Sequence, residues 1–162
     1  MSIYSTTVRV AASLAFSALI TGCSSATPPL TTAAQAPTVN PAAIQPSNAT
    51  LKITSPTVGG VLGGGAVKVS INYSGPNLVP GAEAKKLDDY HLHYFLDEDA
   101  NAYLTGTKPI PTGNPHIVHS AAKEVTFDNV APGAHMVAVV MSGNNHIPVT
   151  PSLVDSVTFM VQ

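Results

Sequence analysis

All six histidines of this 162-residue chain lie between positions 91 and 146, and they carry the chemistry the sequence offers. In Tyr90-His91-Leu92-His93-Tyr94-Phe95-Leu96-Asp97 the two histidines are two residues apart. On an extended strand, that spacing places His91 and His93 on one face with Phe95 and Asp97. Tyr90, Leu92, Tyr94 and Leu96 then occupy the opposite, more apolar face, which is assigned to the core. Two imidazoles so placed can share one ion, and a third or fourth ligand must come from a neighbouring strand or loop. An all-imidazole donor set suits copper(II) or zinc. Only neutral rings bind, so affinity should fall below about pH 6.

The elements that must position these rings are strands. Val67, Val69, Ile71 and Tyr73 alternate with Lys68, Ser70 and Asn72, the pattern of an antiparallel strand with one buried and one wet face. Similar extended runs are predicted at Thr50–Thr54, Tyr90–Asp97, Lys123–Val130, His135–Ser142 and Val154–Val161. A shorter piece near His116–Ser120 makes seven. The chain has 12 glycines and 14 prolines but only 10% charged residues, which argues against a helical bundle and for short strands joined by turns. The predicted fold is an all-β antiparallel sandwich of about seven strands, immunoglobulin-like or cupredoxin-like, over residues 50–162.

That topology nominates ligands. If Tyr90–Asp97 is the third strand, it begins at the end of the domain where the sixth strand, His135–Ser142, finishes. His146 sits just past that finish, in Asn145-His146-Ile147-Pro148. The nominated set is His91, His93 and His146, with His116 or His119 as a fourth. His135 begins the sixth strand at the opposite end, and a structural corner role is expected there. Met136, Met141 and Met160 occupy alternating strand positions and are expected to pack rather than ligate. Asp97-Glu98-Asp99 reads as a solvated turn that lacks the glycine and ligand spacing of a calcium loop.

The first residues read as an address. Arg9, the chain's sole arginine, precedes an apolar run from Val10 to Ile20 that is too short for a membrane-spanning helix. Ile20-Thr21-Gly22-Cys23 resembles the lipobox of bacterial lipoproteins. The resemblance implies a signal peptide over residues 1–22, cleavage before Cys23 and acylation of that residue. Cys23 is the single cysteine, so no internal disulfide can form. Ser24 resembles the residue that follows the cysteine in lipoproteins sent to an outer membrane, which favours that membrane over the inner one. From Ser24 to Ala49 there is no charged residue, and five prolines interrupt any periodic apolar face. Residues 23–49 are therefore expected to be a lipidated, disordered tether, roughly 28 Å long on average as a flexible coil. The expected location is the cell envelope, lipid-anchored on its periplasmic side or at the cell surface.

In chain order, Ile53-Thr54-Ser55-Pro56, His91-Leu92-His93 with Asp97, Pro132-Gly133-Ala134-His135 and Asn145-His146-Ile147-Pro148 are similar to the bacterial family known as domain of unknown function 4399. The resemblance spans Leu51 to Val161 and implies a secreted or envelope protein. It departs at Leu92, where the family typically has a third histidine, and at Ser120-Ala121-Ala122, where the family has a Gly-rich segment. No activity comes with the resemblance.

Seven basic residues against nine acidic ones leave no basic patch for nucleic acid. The chain has no G-x-S-x-G elbow, H-E-x-x-H pair, phosphate-binding loop or dinucleotide fingerprint, so no enzyme is expected. Two readings remain. One is an envelope-tethered module that binds copper or zinc through its histidines. The other is a non-enzymatic structural or protein-interaction domain of the envelope, with histidines that only satisfy turns.

Overall fold

The structure, a computed structural model, describes residues 40–162. The expected signal peptide, Cys23 and the tether up to residue 39 lie outside the described residues. No helix among those described is long and apolar enough to cross a membrane.

Eight strands follow in chain order: β1 (Thr50–Ser55), β2 (Val61–Leu62), β3 (Gly65–Ser74), β4 (His91–Leu96), β5 (Ile117–Ser120), β6 (Glu124–Val130), β7 (Gly133–Ser142) and β8 (Val154–Val161). They form two sheets, ordered β1-β3-β6 and β2-β8-β7-β4-β5. β1, β3 and β6 face β4, β7 and β8, the division found in immunoglobulin-like sandwiches. The seven predicted strands are present. The eighth, β2, is a two-residue strand that runs parallel to β8, whereas the remaining pairings are antiparallel. Val61-Leu62 is too short for any alternation to mark it in the sequence.

The alternation in β3 does what it implies. Val67, Val69, Ile71 and Tyr73 point inward and meet Leu92, Tyr94 and Leu96 of β4, Val137, Val139 and Met141 of β7, and Val157, Phe159 and Val161 of β8. Asp155 bridges the two sheets at one edge: its carboxylate accepts from the Ile53 backbone N–H at 2.8 Å and pairs with Lys52 at 2.9 Å.

β4 departs from a simple one-sided strand, because all six of its residues are buried. Its inner face belongs to the main core. Its outer face carries Phe95, which packs with Ala100, Ile110, Ile117, Ala138 and Val140 in a second apolar cluster. The chain between β4 and β5, which includes a 3-10 turn at Ala100–Ala102, supplies Ala100 and Ile110 to that cluster. This excursion covers the outer face of the five-stranded sheet, the face on which His91 and His93 stand.

The tether boundary moves. Residues 40–49, assigned to the disordered tether because they lack charge and periodicity, pack onto the sandwich. Ala43 is 2% exposed and belongs to the main core. Its carbonyl accepts from Thr150 N at 2.9 Å, Gln45 N donates to Thr150 O at 3.1 Å, and the Tyr90 hydroxyl donates to Ile44 O at 2.8 Å. Main-chain hydrogen bonds need no side-chain pattern, so composition could not reveal them.

Of the three methionines expected to pack, Met141 is fully buried. Met160 is 42% exposed, because its side of β8 faces outward. Met136 lines an open groove with His135, Phe159 and Met160.

Candidate metal site

Strand pairing places the first three rings. His91 and His93 share the outer face of β4, and in the antiparallel β4–β5 ladder His93 stands directly opposite His119. Cross-strand partners lie on the same face of a sheet, with Cβ atoms about 5 Å apart. The centroids of His93 and His119 are accordingly 4.1 Å apart, and those of His91 and His93 are 4.7 Å apart.

The fourth ring comes from a loop. After β7 the chain turns through Gly143–Ile147, where His146 N donates to Gly143 O at 3.0 Å and Gly143 N donates to Ile147 O at 3.2 Å. His146 holds the left-handed conformation at φ 61°. Gly143 must be glycine: a Cβ there would collide with the Leu87 carbonyl and lie 2.9 Å from Ala43 Cβ. The segment ahead of β1 and the β4–β5 excursion both hold this loop. Asn145 Nδ2 donates to Pro41 O at 2.8 Å, and Ile110 N donates to His146 O at 2.8 Å. His146 thereby sits 4.9 Å from His91 and 4.8 Å from His119, centroid to centroid.

His91, His93, His119 and His146 can each offer one nitrogen such that the four atoms lie within 4.8 Å of one another. A tetrahedral ion with bonds of about 2.1 Å would draw such nitrogens to about 3.4 Å. This group can hold a metal ion. His91 and His93 are fully buried, and the other two are half-buried.

The hydrogen bonds divide the ring nitrogens into two sets. His93 Nε2 lies 2.7 Å from Ser142 Oγ, His91 Nε2 lies 3.3 Å from the same hydroxyl, and His119 Nε2 lies 3.1 Å from Pro111 O. The Nδ1 atoms of His91, His93 and His146 are buried without any hydrogen-bond partner. An unpaired buried polar atom costs about 1–3 kcal/mol, so three together are a concentrated strain on the fold.

The electrostatics favour neutral rings. Burial first, and then the charges of His146 and His119, hold His91 down to about 4, against the Asp89 backbone carbonyl, which favours the protonated ring without meeting hydrogen-bond geometry. His93 is pushed well below the ordinary histidine value by burial and by the other three rings. His146 is lowered by burial and by His119. Neutral imidazoles with free lone pairs are the form a metal requires.

The remaining histidines lie elsewhere. His116 lies in the turn ahead of β5, outside the β4–β5 ladder that carries His119. Its Nδ1 approaches Leu96 O at 3.3 Å. Of the two alternatives for a fourth ligand, the cluster contains His119 and excludes His116. His135 pairs with Phe159 at the far end of β7. Its Nδ1 meets Asp97 Oδ2 at 2.7 Å and its Nε2 meets Ala131 O at 2.8 Å, so both nitrogens are engaged at the corner that precedes β7.

The acidic triplet is more than a solvated turn. Asp97, at φ 56°, also accepts from Met136 N at 2.9 Å, Glu98 accepts from Asn114, and Asp99 caps the 3-10 turn. Two participants at the metal site escaped the sequence reading, Ser142 and the Pro111 carbonyl. Ser142 is the first polar residue after the apolar run Met136–Met141 and pairs with His91 in register. That pairing could have been drawn from the predicted strand order. No model of a known protein family matches the chain, and no curated protein matches it.

Proposed function

We propose that this chain is an envelope-tethered lipoprotein whose sandwich domain binds one transition-metal ion, copper(II) or zinc, through His91, His93, His119 and His146. The observation that carries the reading is the set of three buried, unpartnered Nδ1 atoms within a group of four mutually adjacent rings. Such atoms are costly unless something accepts their lone pairs, and a metal ion does so. The donor set contains neither thiolate nor carboxylate, which suits copper(II) or zinc better than calcium or magnesium.

The rings fill four positions and lie beneath two loops, an arrangement that suits holding an ion rather than keeping a water-accessible catalytic site. The lipobox resemblance at Ile20–Cys23 supports the envelope address and membrane attachment through acylated Cys23. The alternative, an interaction domain whose histidines only satisfy turns, describes His135 well. It leaves the three Nδ1 atoms unexplained.

Titrating the full chain with zinc and with copper(II) by calorimetry tests the proposal. One ion per chain with a dissociation constant below about 1 µM is expected. Binding no tighter than about 1 mM for either metal would overturn it.

A further inference from the structure

The hydroxyl of Ser142 is fully buried at the end of β7, on the same face as His91, its partner in register. Three polar atoms surround it: His93 Nε2 at 2.7 Å, His91 Nε2 at 3.3 Å and Gly143 O at 3.2 Å. A hydroxyl has one proton to give and two lone pairs to offer. With its proton given to Gly143 O, which can only accept and also takes the His146 N–H, the hydroxyl offers both lone pairs to N–H groups. In that arrangement the N–H donors are the Nε2 atoms of His93 and His91. A neutral imidazole carries a single ring proton, and when it sits on Nε2 the Nδ1 lone pair is left bare.

His119 obeys the same logic through a different acceptor. Its Nε2 faces the Pro111 carbonyl at 3.1 Å, which can only accept, so the proton again sits on Nε2. The buried nitrogens without partners are Nδ1 atoms, those of His91, His93 and His146. For His91, His93 and His119 the contacts at Nε2 therefore point to Nδ1 as the free nitrogen, and His146 has its own Nδ1 buried and unpaired.

We infer that Ser142 is a positioning residue of the metal site, one that holds His91 and His93 in the Nε2–H tautomer so that both offer Nδ1 to the ion. The inference rests on the metal-binding reading and adds which atoms bind and what orients them. Hydrogen bonds from the non-ligating nitrogen commonly set ring orientation and ligand basicity, and losing one costs about 10–100-fold in metal affinity.

The test uses the full chain and three versions of position 142. Long-range nitrogen–proton correlation spectra of the metal-free chain should show His91 and His93 as Nε2–H tautomers. Ser142→Ala should lose that uniform tautomer and bind zinc about 10–100-fold more weakly, while Ser142→Thr, which keeps the hydroxyl, should restore both. An Nδ1–H tautomer at His93 in the unaltered chain would overturn the inference whether or not any variant folds. So would zinc affinity unchanged by Ser142→Ala. If the unaltered chain binds neither zinc nor copper(II), the metal reading fails and the positioning role fails with it. The tautomer spectra would tell that case apart from a misassigned orienting group.

Discussion

The five-stranded sheet carries histidines at both ends of β7, and the two ends use the same side chain in opposite ways. At the Ser142 end, four rings crowd together among hydroxyl, carbonyl and apolar neighbours. Burial and mutual repulsion hold His91, His93 and His146 below the ordinary histidine value. At the other end, about 23 Å away at 3.3 Å per residue, His135 stands alone against a carboxylate. The Asp97 hydrogen bond, with support from the Ala131 carbonyl, raises it. Imidazole is held in its neutral form or becomes a charged clasp according to whether an anion is beside it, and nothing in the residue type decides which.

Replacing one ring at each end breaks the comparison most sharply. His93→Ala should lower zinc or copper(II) affinity by at least about 100-fold, since losing a ligand exceeds the loss of an orienting group. His135→Ala should leave the affinity unchanged within about twofold, because its nitrogens face Asp97 and Ala131. Parallel calorimetric titrations check both. An equal loss at the two positions would show that the ends are coupled rather than distinct.

The cluster end alone is held by the segment ahead of β1. Ala43→Asp puts an unpaired carboxylate in the core beside Gly143 and should destabilise the fold by about 3 kcal/mol, read by urea denaturation. Deuterium exchange should speed up in residues 143–147, while the Asp97–His135 corner should exchange more slowly than that loop. Uniform loosening would contradict the local role of the segment.

Acid and base should separate the ends in the metal-free chain. His91, His93 and His146 are depressed in the folded state, so between their folded values and about 6.5 the unfolded chain binds more protons. Their contribution is present above about 6.5 and is lost as pH falls below it. His135 is raised, so its contribution is fully present below about 6.5 and is lost as pH climbs through its folded value. With Asp97 39% exposed, that contribution is limited to about 1 kcal/mol. Denaturation curves from pH 5 to pH 8 should show His93→Ala relieving the acid sensitivity. His135→Gln should remove only the small loss on the alkaline side. The reverse assignment would mean the two environments are exchanged.

The smallest effect is expected at His116. His116→Ala should change metal affinity by less than about twofold and stability by less than about 0.5 kcal/mol. A larger loss of affinity would place His116 in the site after all.

Much of the scaffold was legible. The alternation Val67, Val69, Ile71, Tyr73 and its opposite in β4 named the facing core surfaces, because a pleated strand must send successive side chains to opposite faces. Strand order then brought His146 towards His91 and His93. Three things were not legible. The fourth ring needed the β4–β5 register, since only that pairing shows that His119 meets His93 while His116 stays in the turn ahead of β5. Residues 40–49 are held through main-chain atoms, which composition does not report. Asp97 reads as a solvated turn until β7 is laid beside it.

The sequence by itself determined an all-β body, a face of β4 bearing two histidines and a candidate address at Cys23, because periodicity and short local motifs are properties of neighbours along the chain. Tertiary structure alone decided that four particular rings meet, that three of them bury an unpaired Nδ1, and that His135 is clasped by Asp97. Those outcomes depend on cross-strand register and on hydrogen bonds such as His93–Ser142 and His135–Asp97, between residues 49 and 38 positions apart along the chain. Local pattern contains no information about such distances until the sheets have formed.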